Sequence, residues 1–233
     1  MAEKSYTHIM QKKKNQYLLM FGLIGLIVVA DQILKIWVKT HMMLGEEIPL
    51  IGDWCLLHFV ENEGFAFGTK FGGTVGKIIL TLVRMVASVA LIWLLLIHIR
   101  RGGRTAVTLY GTLITAGAIG NLIDCTLYGV LFTESGFQVA EMFPAQGYAP
   151  LLQGSVVDMF YFPLIDTYLP EGLPLIGGAH FEFFNAIFNI ADSAITVGAT
   201  WFIIDQLILN TRNKKKKPAT VAEQPQKEEK TEA

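Results

Sequence analysis

The apolar residues of this chain gather into four long runs, at residues 17–38, 78–97, 106–123 and 186–209. A helix needs about 20 mostly apolar residues to cross a bilayer core of about 30 Å, and each run approaches or exceeds that length. Four buried helices of a soluble protein are the alternative, but a chain of 233 residues would then keep almost no polar surface around them. The pattern therefore predicts four transmembrane helices.

The first run differs from a cleavable signal peptide. Its apolar stretch is longer than the about 7–15 residues of such a segment, and Asp31 and Gln32 interrupt it where small residues would mark a cleavage site. We therefore expect it to be retained as the first span.

Basic residues indicate how the spans are oriented. They cluster in the N-terminal segment 1–16, in the connection 98–105 and at the start of the C-terminal segment 211–233, whereas residues 125–184 contain no Lys or Arg. Positive charge favours the cytoplasmic side. We expect both termini in the cytoplasm, outer loops at 39–77 and 124–185, and a disordered, mixed-charge C-terminal tail.

Composition excludes several other classes of protein. The chain is 52% apolar and only 17% charged, with a formal net charge of −1. These values argue against a disordered chain and against a nucleic-acid-binding arm. Cys55 and Cys125 are too few for a disulfide scaffold or a four-cysteine zinc site, although one bridge between them remains open. We expect no cofactor, no metal and no nucleic-acid partner.

The outer loops contain two β-favouring stretches, at residues 54–60 and 156–162. They predict a small sheet on the outer membrane surface. Residues 131–153 and 163–182 are rich in Gly and Pro without a clear period, and we expect them to be loop extensions. The predicted fold class is an all-α polytopic membrane protein, with four transmembrane helices, a small β-sheet and extended outer loops.

The ionisable residues in and beside the apolar runs fall mostly at a single depth, with Asp205 near the cytoplasmic end as the exception. Asp31, Arg84, Asp124 and Asp192 all fall in the outer half of the predicted spans, and Asp158 lies in the outer loop beside them. Asp192 is the seventh residue of the run 186–209, which predicts a position about 10 Å below the outer surface. Charged groups at membrane depth are costly and usually mark a functional site.

An Asn-x-x-Asp sequence occurs twice, at Asn121–Asp124 and Asn189–Asp192. Residues three apart share a helix face, so each Asn can hydrogen-bond the neighbouring carboxylate. One such pair is typical of polar contacts between membrane helices. Two pairs in one layer with Asp31 and Asp158 favour a site.

The residue types in this layer suit one chemistry best. There is no Ser-His or Cys-His arrangement at this depth and no metal-binding motif. Two close carboxylates share a proton, so one can activate water while the other protonates a carbonyl oxygen. A small proton-coupled transporter with an Asp relay and a non-enzymatic assembly factor are the alternatives. From spacing alone, Asp124, Asp158 and Asp192 all remain candidates.

Five segments together resemble the lipoprotein signal peptidases, the signal peptidase II family. In chain order they are Asp31–Lys35, Asn62–Gly68, Gly117–Asp124, Val156–Phe160 and Phe188–Ser193. Their order, on four spans with both termini inside, makes the resemblance specific. It implies a protein of the bacterial cytoplasmic (inner) membrane that removes signal peptides from diacylglyceryl-modified prolipoproteins by cutting before the lipidated cysteine. It also implies contact with membrane phospholipids and inhibition by the cyclic peptide globomycin.

The resemblance implies an aspartyl dyad of Asp158 and Asp192. Other matching positions would support the site or bind substrate: Asn62, Gly64, Asn121, Asp124, Asn189 and Ala191. Asp31 and Lys35 would serve folding or contact with lipid headgroups.

The chain departs from the family pattern in two ways. Cys125 stands where the family usually has Arg, and Arg84 is a candidate to supply that cation. In addition, the segments are farther apart than usual around Asp158, where the loop extensions lie.

Overall fold

The computed structural model describes residues 2–64, 73–174, 176–183 and 185–216. Within these ranges, four helices are long and apolar enough to cross a membrane. The helices are α1 (Ala2–His41), α2 (Gly73–Arg100), α3 (Thr105–Ile123), the short α4 (Gly129–Leu131) and α5 (Ile190–Lys216). A π-helical turn, Asp124–Tyr128, joins α3 to α4. The fold class predicted from the sequence is confirmed.

The helices extend beyond the apolar runs on the polar side. Helix α1 already begins at Ala2 and includes the basic N-terminal segment, and α5 continues to Lys216, through residues assigned above to the tail. Residues 217–233 lie outside the described part of the chain. A helix need not end where the apolar residues end, because its backbone hydrogen bonds are satisfied internally in water as in lipid.

Helix α5 begins at Ile190 rather than at residue 186, because residues 187 and 188 form a strand. Asn189 then caps the helix: its Oδ1 accepts a hydrogen bond from the Asp192 backbone N–H at 2.8 Å. Asn is a favoured N-cap residue. Asp192 therefore lies in the first turn of α5, as its third residue and not as the seventh residue of a helix that begins at residue 186.

The main sheet is antiparallel with strand order β1-β2-β3-β6. Its strands are β1 (Glu47–Ile51), β2 (Cys55–Asn62), β3 (Val156–Tyr161) and β6 (Ile187–Phe188). The two strands predicted from the loops are β2 and β3, and they pair with Val60 opposite Asp158 and Asn62 opposite Val156. Residues on one face of two paired strands are neighbours along the diagonal as well as directly opposite each other. Asn62 and Asp158 are such diagonal neighbours, so this register brings their side chains together.

A separate hairpin was not predicted. It consists of β4 (Ile165–Tyr168) and β5 (His180–Phe183) and lies in the segment 163–182, for which a loop extension was expected. Four-residue strands are too short for an alternating pattern to stand out among Gly and Pro. The other extension, 131–153, contributes Phe132, Ala140 and Tyr148 to a core shared with the main sheet and the end of α1.

Helix α3 is the centre of the bundle and packs against α1, α2 and α5. Its glycines allow the close approach. A Cβ on Gly117 would lie 2.2 Å from the backbone oxygen of Ala191, and one on Gly120 would lie 2.8 Å from Asp31 Oδ2. Small residues are enriched where membrane helices meet, because lipid provides no hydrophobic force to drive them together.

The end of the bundle opposite the sheet has its own connection between helices. Arg104, just before α3, donates to both carboxylate oxygens of Asp205 in α5, at 2.7 and 2.8 Å. This two-point geometry is the strong form of an arginine–carboxylate pair. It fixes the contact between α3 and α5 at the end of the bundle that is farther from Gly117 and Gly120.

We expect Gly117→Ala to lower the melting temperature of the detergent-purified protein, because the added methyl group has no space against α5. Overpacking of this kind costs about 1–3 kcal/mol. Gly25→Ala is the matched control, since a Cβ there meets nothing within 4 Å. A glycine-to-alanine change in an open helix position is neutral or stabilising. Equal melting temperatures for the two variants would contradict the close contact.

Candidate active site

The site rests on a buried ammonium group. Lys35 Nζ lies 2.8 Å from Asp31 Oδ2 and 2.7 Å from Asp124 Oδ2, and it donates to Asn121 Oδ1 at 2.9 Å. The side chains of Lys35, Asp31 and Asp124 are at most 1% exposed. A buried charge is tolerated only when it is paired and its hydrogen-bonding groups are satisfied. Three acceptors satisfy the three donors of Lys35, and its burial excludes the suggested contact with lipid headgroups.

The two carboxylates of this ion cluster also hold other elements. Asp31 Oδ1 accepts the backbone N–H of Ala191 at 2.9 Å, in the first turn of α5. Asp124 Oδ2 lies 3.4 Å from the backbone nitrogen of Val157, the residue before Asp158. One cluster therefore ties α1 and α3 to the start of α5 and to β3. These are the elements that carry Asp192 and Asp158.

Two asparagines connect the ion cluster to the pair Asp158 and Asp192. Asn121, held by Lys35, donates from Nδ2 to Asp192 Oδ1 at 2.7 Å. Asn189 Nδ2 donates to Asp158 Oδ1 at 2.6 Å and lies 3.1 Å from Asn121 Oδ1. Each carboxylate is thus held by an amide, and the two amides contact each other. The predicted Asn-x-x-Asp pairs do face one site, but each Asn serves an acid on another element.

The opposite side of Asp158 is held by the end of β2. Asn62 Nδ2 donates to Asp158 Oδ2 at 3.2 Å, and the backbone N–H of Gly64 donates to Asn62 Oδ1 at 2.7 Å. All ten predicted site residues therefore lie in one connected arrangement: Asp31, Lys35, Asn62, Gly64, Asn121, Asp124, Asp158, Asn189, Ala191 and Asp192. Residues 65–68 of the same sequence segment lie outside the described part of the chain.

Burial, followed by the neighbouring charge of Asp192, raises the pKa of Asp158 to about 7. Hydrogen bonds from Asn62 and Asn189, and the more distant charge of Lys35, oppose the increase in this pKa. A carboxyl group that stays protonated near neutral pH can donate a proton. Asp192 lies in the first turn of α5, where the helix dipole favours a negative charge. The surroundings thus favour one acid and one base.

The π-helical turn positions Asp124 and Cys125. Such turns are rare and often occur at functional sites. Both cysteines are buried and unpaired in the structure, so the disulfide left open above is absent between Cys55 and Cys125. Arg84 Nη1 lies 2.8 Å from Cys125 Sγ. The candidate cation from α2 therefore reaches the position where the family usually has Arg.

Sequence reasoning missed two groups. Gln32 donates to Asp124 Oδ1 at 2.8 Å and accepts from Tyr128 Oη at 3.1 Å. The sequence signal for a role of Gln32 was the position of its polar amide next to Asp31 within an apolar run. Lys39 is fully buried, pairs with Glu61 and donates to Ser135 Oγ at 2.7 Å, which ties the extension 131–153 to β2. The sequence gives no sign of this pair, since its members are far apart along the chain.

Aromatic side chains lie next to the site at the edge formed by β3 and β6. Phe162 stacks on Phe188 with ring centroids 5.6 Å apart, and Phe160 lies 6.0 Å from the same ring. Phe65 and Phe67, in the segment Asn62–Gly68, lie outside the described residues. The three described rings form an apolar surface beside Asp158.

Four membrane-length helices around two amide-held carboxylates define a polytopic membrane protein with a candidate acid–base site. The family described as Signal peptidase (SPase) II matches residues 23–208. The chain belongs to this signal peptidase II family, whose members are peptidases.

Curated relatives extend over most of the chain. A lipoprotein signal peptidase of Porphyromonas gingivalis is 45% identical over 185 residues, which is 78% of this chain and 80% of the relative. One from Amoebophilus asiaticus is 33% identical over 191 residues, 80% of this chain and 76% of the relative.

Solved structures share the fold. A bacterial membrane enzyme determined by the in meso method at 2.3 Å resolution is 24% identical, with a TM-score of 0.53 over 86% of this chain and 94% of that one. A second, at 1.9 Å resolution, is 23% identical, with a TM-score of 0.52 over 81% of this chain and 92% of the other.

We expect Lys35→Met to destabilise the protein strongly, because it leaves Asp31 and Asp124 as unpaired buried carboxylates. Breaking one partner of a buried ion pair costs about 3–5 kcal/mol. Chemical denaturation in detergent would measure the loss. Lys12→Met, at an exposed position of the same helix, is the control and should leave the denaturation midpoint unchanged.

Asp158→Asn should flatten the pH dependence of stability. A carboxyl with a pKa of about 7 in the fold and about 3.9 when unfolded binds more protons when folded. Its contribution to stability is present below pH 4 and is lost as the pH rises through 7. The fall in melting temperature from pH 5 to pH 8 should therefore be smaller in Asp158→Asn. The exposed control Asp53→Asn should fall as the wild type does; identical slopes in all three proteins would refute the raised pKa.

Proposed function

We propose that this protein is an aspartic endopeptidase that removes the signal peptide from diacylglyceryl-modified prolipoproteins and cuts before the lipidated cysteine. The observation that carries the proposal is the pair of acids: Asp158 on β3 and Asp192 on α5, held by two touching amides. The lipoprotein signal peptidases among its relatives support the choice of substrate.

The reaction uses the different protonation of the two acids. Asp192, as the carboxylate, takes a proton from a water molecule whose oxygen attacks the peptide carbonyl carbon. Asp158, as the neutral acid, donates its proton to the carbonyl oxygen. The resulting tetrahedral species collapses as Asp192 passes the proton taken from water to the leaving nitrogen and the C–N bond breaks. The hydroxyl on the former carbonyl oxygen returns its proton to Asp158, so both acids regain their starting state. Asn121 and Asn189 hold the two carboxyl groups in position throughout, so orientation is prepared before substrate binds.

Asp124, which spacing left open as a third candidate, has another role in this proposal. It is fully buried and bonded to Lys35, Gln32 and the Val157 backbone, so water and substrate do not reach it. Asp192 is only partly buried. Asp158 is also buried, but two touching amides connect it to the more accessible Asp192. This connection, together with the ion pair that occupies Asp124, supports Asp158 and Asp192 as the pair that performs the reaction.

The distribution of charge supports a position in the bacterial inner membrane with both termini in the cytoplasm and the site near the outer face. Arg100, Arg101 and Arg104 lie at the end of the bundle opposite the sheet, together with the basic start of α1. A lipidated substrate then approaches from the bilayer, with membrane phospholipids around the helices. The Phe160, Phe162 and Phe188 surface is suited to its acyl chains. A cyclic peptide of the globomycin type is the expected inhibitor.

We expect Asp158→Asn and Asp192→Asn each to reduce cleavage of a diacylglyceryl-modified prolipoprotein by at least about 10³-fold while the proteins still fold. Turnover is measured with purified protein in detergent or liposomes, with and without a chelator, which should have no effect. Asp53→Asn is the matched control. Retained turnover in either site variant would refute the pair, and loss on chelation would refute the metal-free reaction.

The same assay separates the alternatives. A proton-coupled transporter would show pH-driven flux in liposomes and no cleavage by the wild-type protein. An assembly factor would show neither, and its cellular function would survive both Asp→Asn changes.

A further inference from the structure

Arg84 is a cation in the apolar part of α2 that the proposed reaction does not use. Its side chain is partly buried, and its guanidinium lies between two segments of the site: Cys125 in the π-helical turn and Gly64 at the end of β2. Placing a charge in a membrane-spanning helix is costly, and such residues usually serve a function. A function for this guanidinium is therefore expected.

The contact with Gly64 is unusually close. A Cβ on this residue would lie 2.9 Å from both Nη1 and Nη2 of Arg84, so the flat guanidinium occupies the space that a side chain would fill. Gly64 has φ = +85°, a conformation that strains any residue with a Cβ. The positive φ is what favours glycine here. The guanidinium packs directly against the turn, together with Leu80, whose Cδ2 lies 3.1 Å from the same Cβ position.

This turn determines where Asn62 points. The backbone N–H of Gly64 binds Asn62 Oδ1 at 2.7 Å, which leaves Nδ2 facing Asp158 Oδ2 at 3.2 Å. The side chain of Asn62 is exposed, so packing does not fix its rotamer. The hydrogen bond within the turn fixes this rotamer, and the guanidinium of Arg84 packs against the turn.

We propose that Arg84 is a positioning residue for the cleavage reaction: its guanidinium supports the turn at Gly64, and the turn holds Asn62 on Asp158. The proposal rests on the proposed function, because it concerns the acid of that reaction. It assigns to α2 a part in a site whose other residues come from α1, α3, α5 and the sheet.

The consequence is a change in the protonation of Asp158. Facing this group are Asn62 from β2, Asn189 and Asp192 at the start of α5, and Lys35 from α1, which is itself paired with Asp31 and Asp124. The Asn62 hydrogen bond favours the carboxylate and lowers the pKa of Asp158, so loss of this bond raises that pKa. The limb of the pH–rate profile at alkaline pH would then move to higher pH.

The test compares pH–rate profiles of wild type, Arg84→Leu, Asn62→Ala and the double variant on the lipidated precursor. We expect each single change to lower kcat about tenfold and to move the alkaline limb up by about one pH unit. The double variant should show the same shift as Asn62→Ala alone, because both changes break one connection. Lys77→Leu is the matched control: this cation lies on the same helix but bonds to Ser155 Oγ at 3.1 Å, and its limb should stay at the wild-type position.

An infrared titration of the Asp158 carboxyl stretch, identified by its loss in Asp158→Asn, gives the same pKa without turnover. It separates the two proposals, since an inactive wild type refutes the function but leaves this readout intact. Gly64→Ala provides a second route if Arg84→Leu fails to fold, because its methyl group displaces the turn without changing α2. An unmoved alkaline limb in the folded variants, or shifts of Arg84→Leu and Asn62→Ala that add, would overturn the inference.

Discussion

The rest of the site depends on one buried ion cluster, Lys35 between Asp31 and Asp124. Asp31 binds the ammonium group through Oδ2 and the backbone of α5 through Oδ1. Asp124 contacts both the ammonium group and the backbone of β3 through Oδ2, and its Oδ1 binds an amide from α1. Buried ion pairs contribute little net stability, since desolvation offsets the attraction. Their value here is geometric: four separate elements meet at a single point with fixed orientation. An apolar replacement could fill the volume but could not orient Asn121 toward Asp192.

Much of the fold could be predicted because lipid imposes simple rules. Length and polarity alone located the four helices, and strand propensity located β2 and β3. The sequence could not locate the start of α5, because Ile187 and Phe188 are apolar enough for a span but pair as a strand with β3. Pairing with a strand some 30 residues earlier is a tertiary contact, and no local pattern reports it.

The site, like the fold, could be predicted only in part from the sequence. The membrane depth of Asp31, Asp124 and Asn121 pointed to one layer, and the family resemblance selected Asp158 and Asp192. What composition could not reveal is which amide serves which acid. The two Asn-x-x-Asp pairs suggested partnerships within each helix, whereas the amides of Asn121 and Asn189 cross to other elements. Likewise, the register of β2 on β3 decides that Asn62 reaches Asp158, and register is fixed only when the strands pair.

Asn189 has two tasks that cannot be separated. Its oxygen starts α5 by capping the Asp192 N–H, and its nitrogen holds Asp158. A chain whose last span has not yet formed its first turn therefore has neither the cap nor the bridge between the acids. The first turn of α5 and the bridge between the two acids therefore assemble together, because both depend on this one side chain.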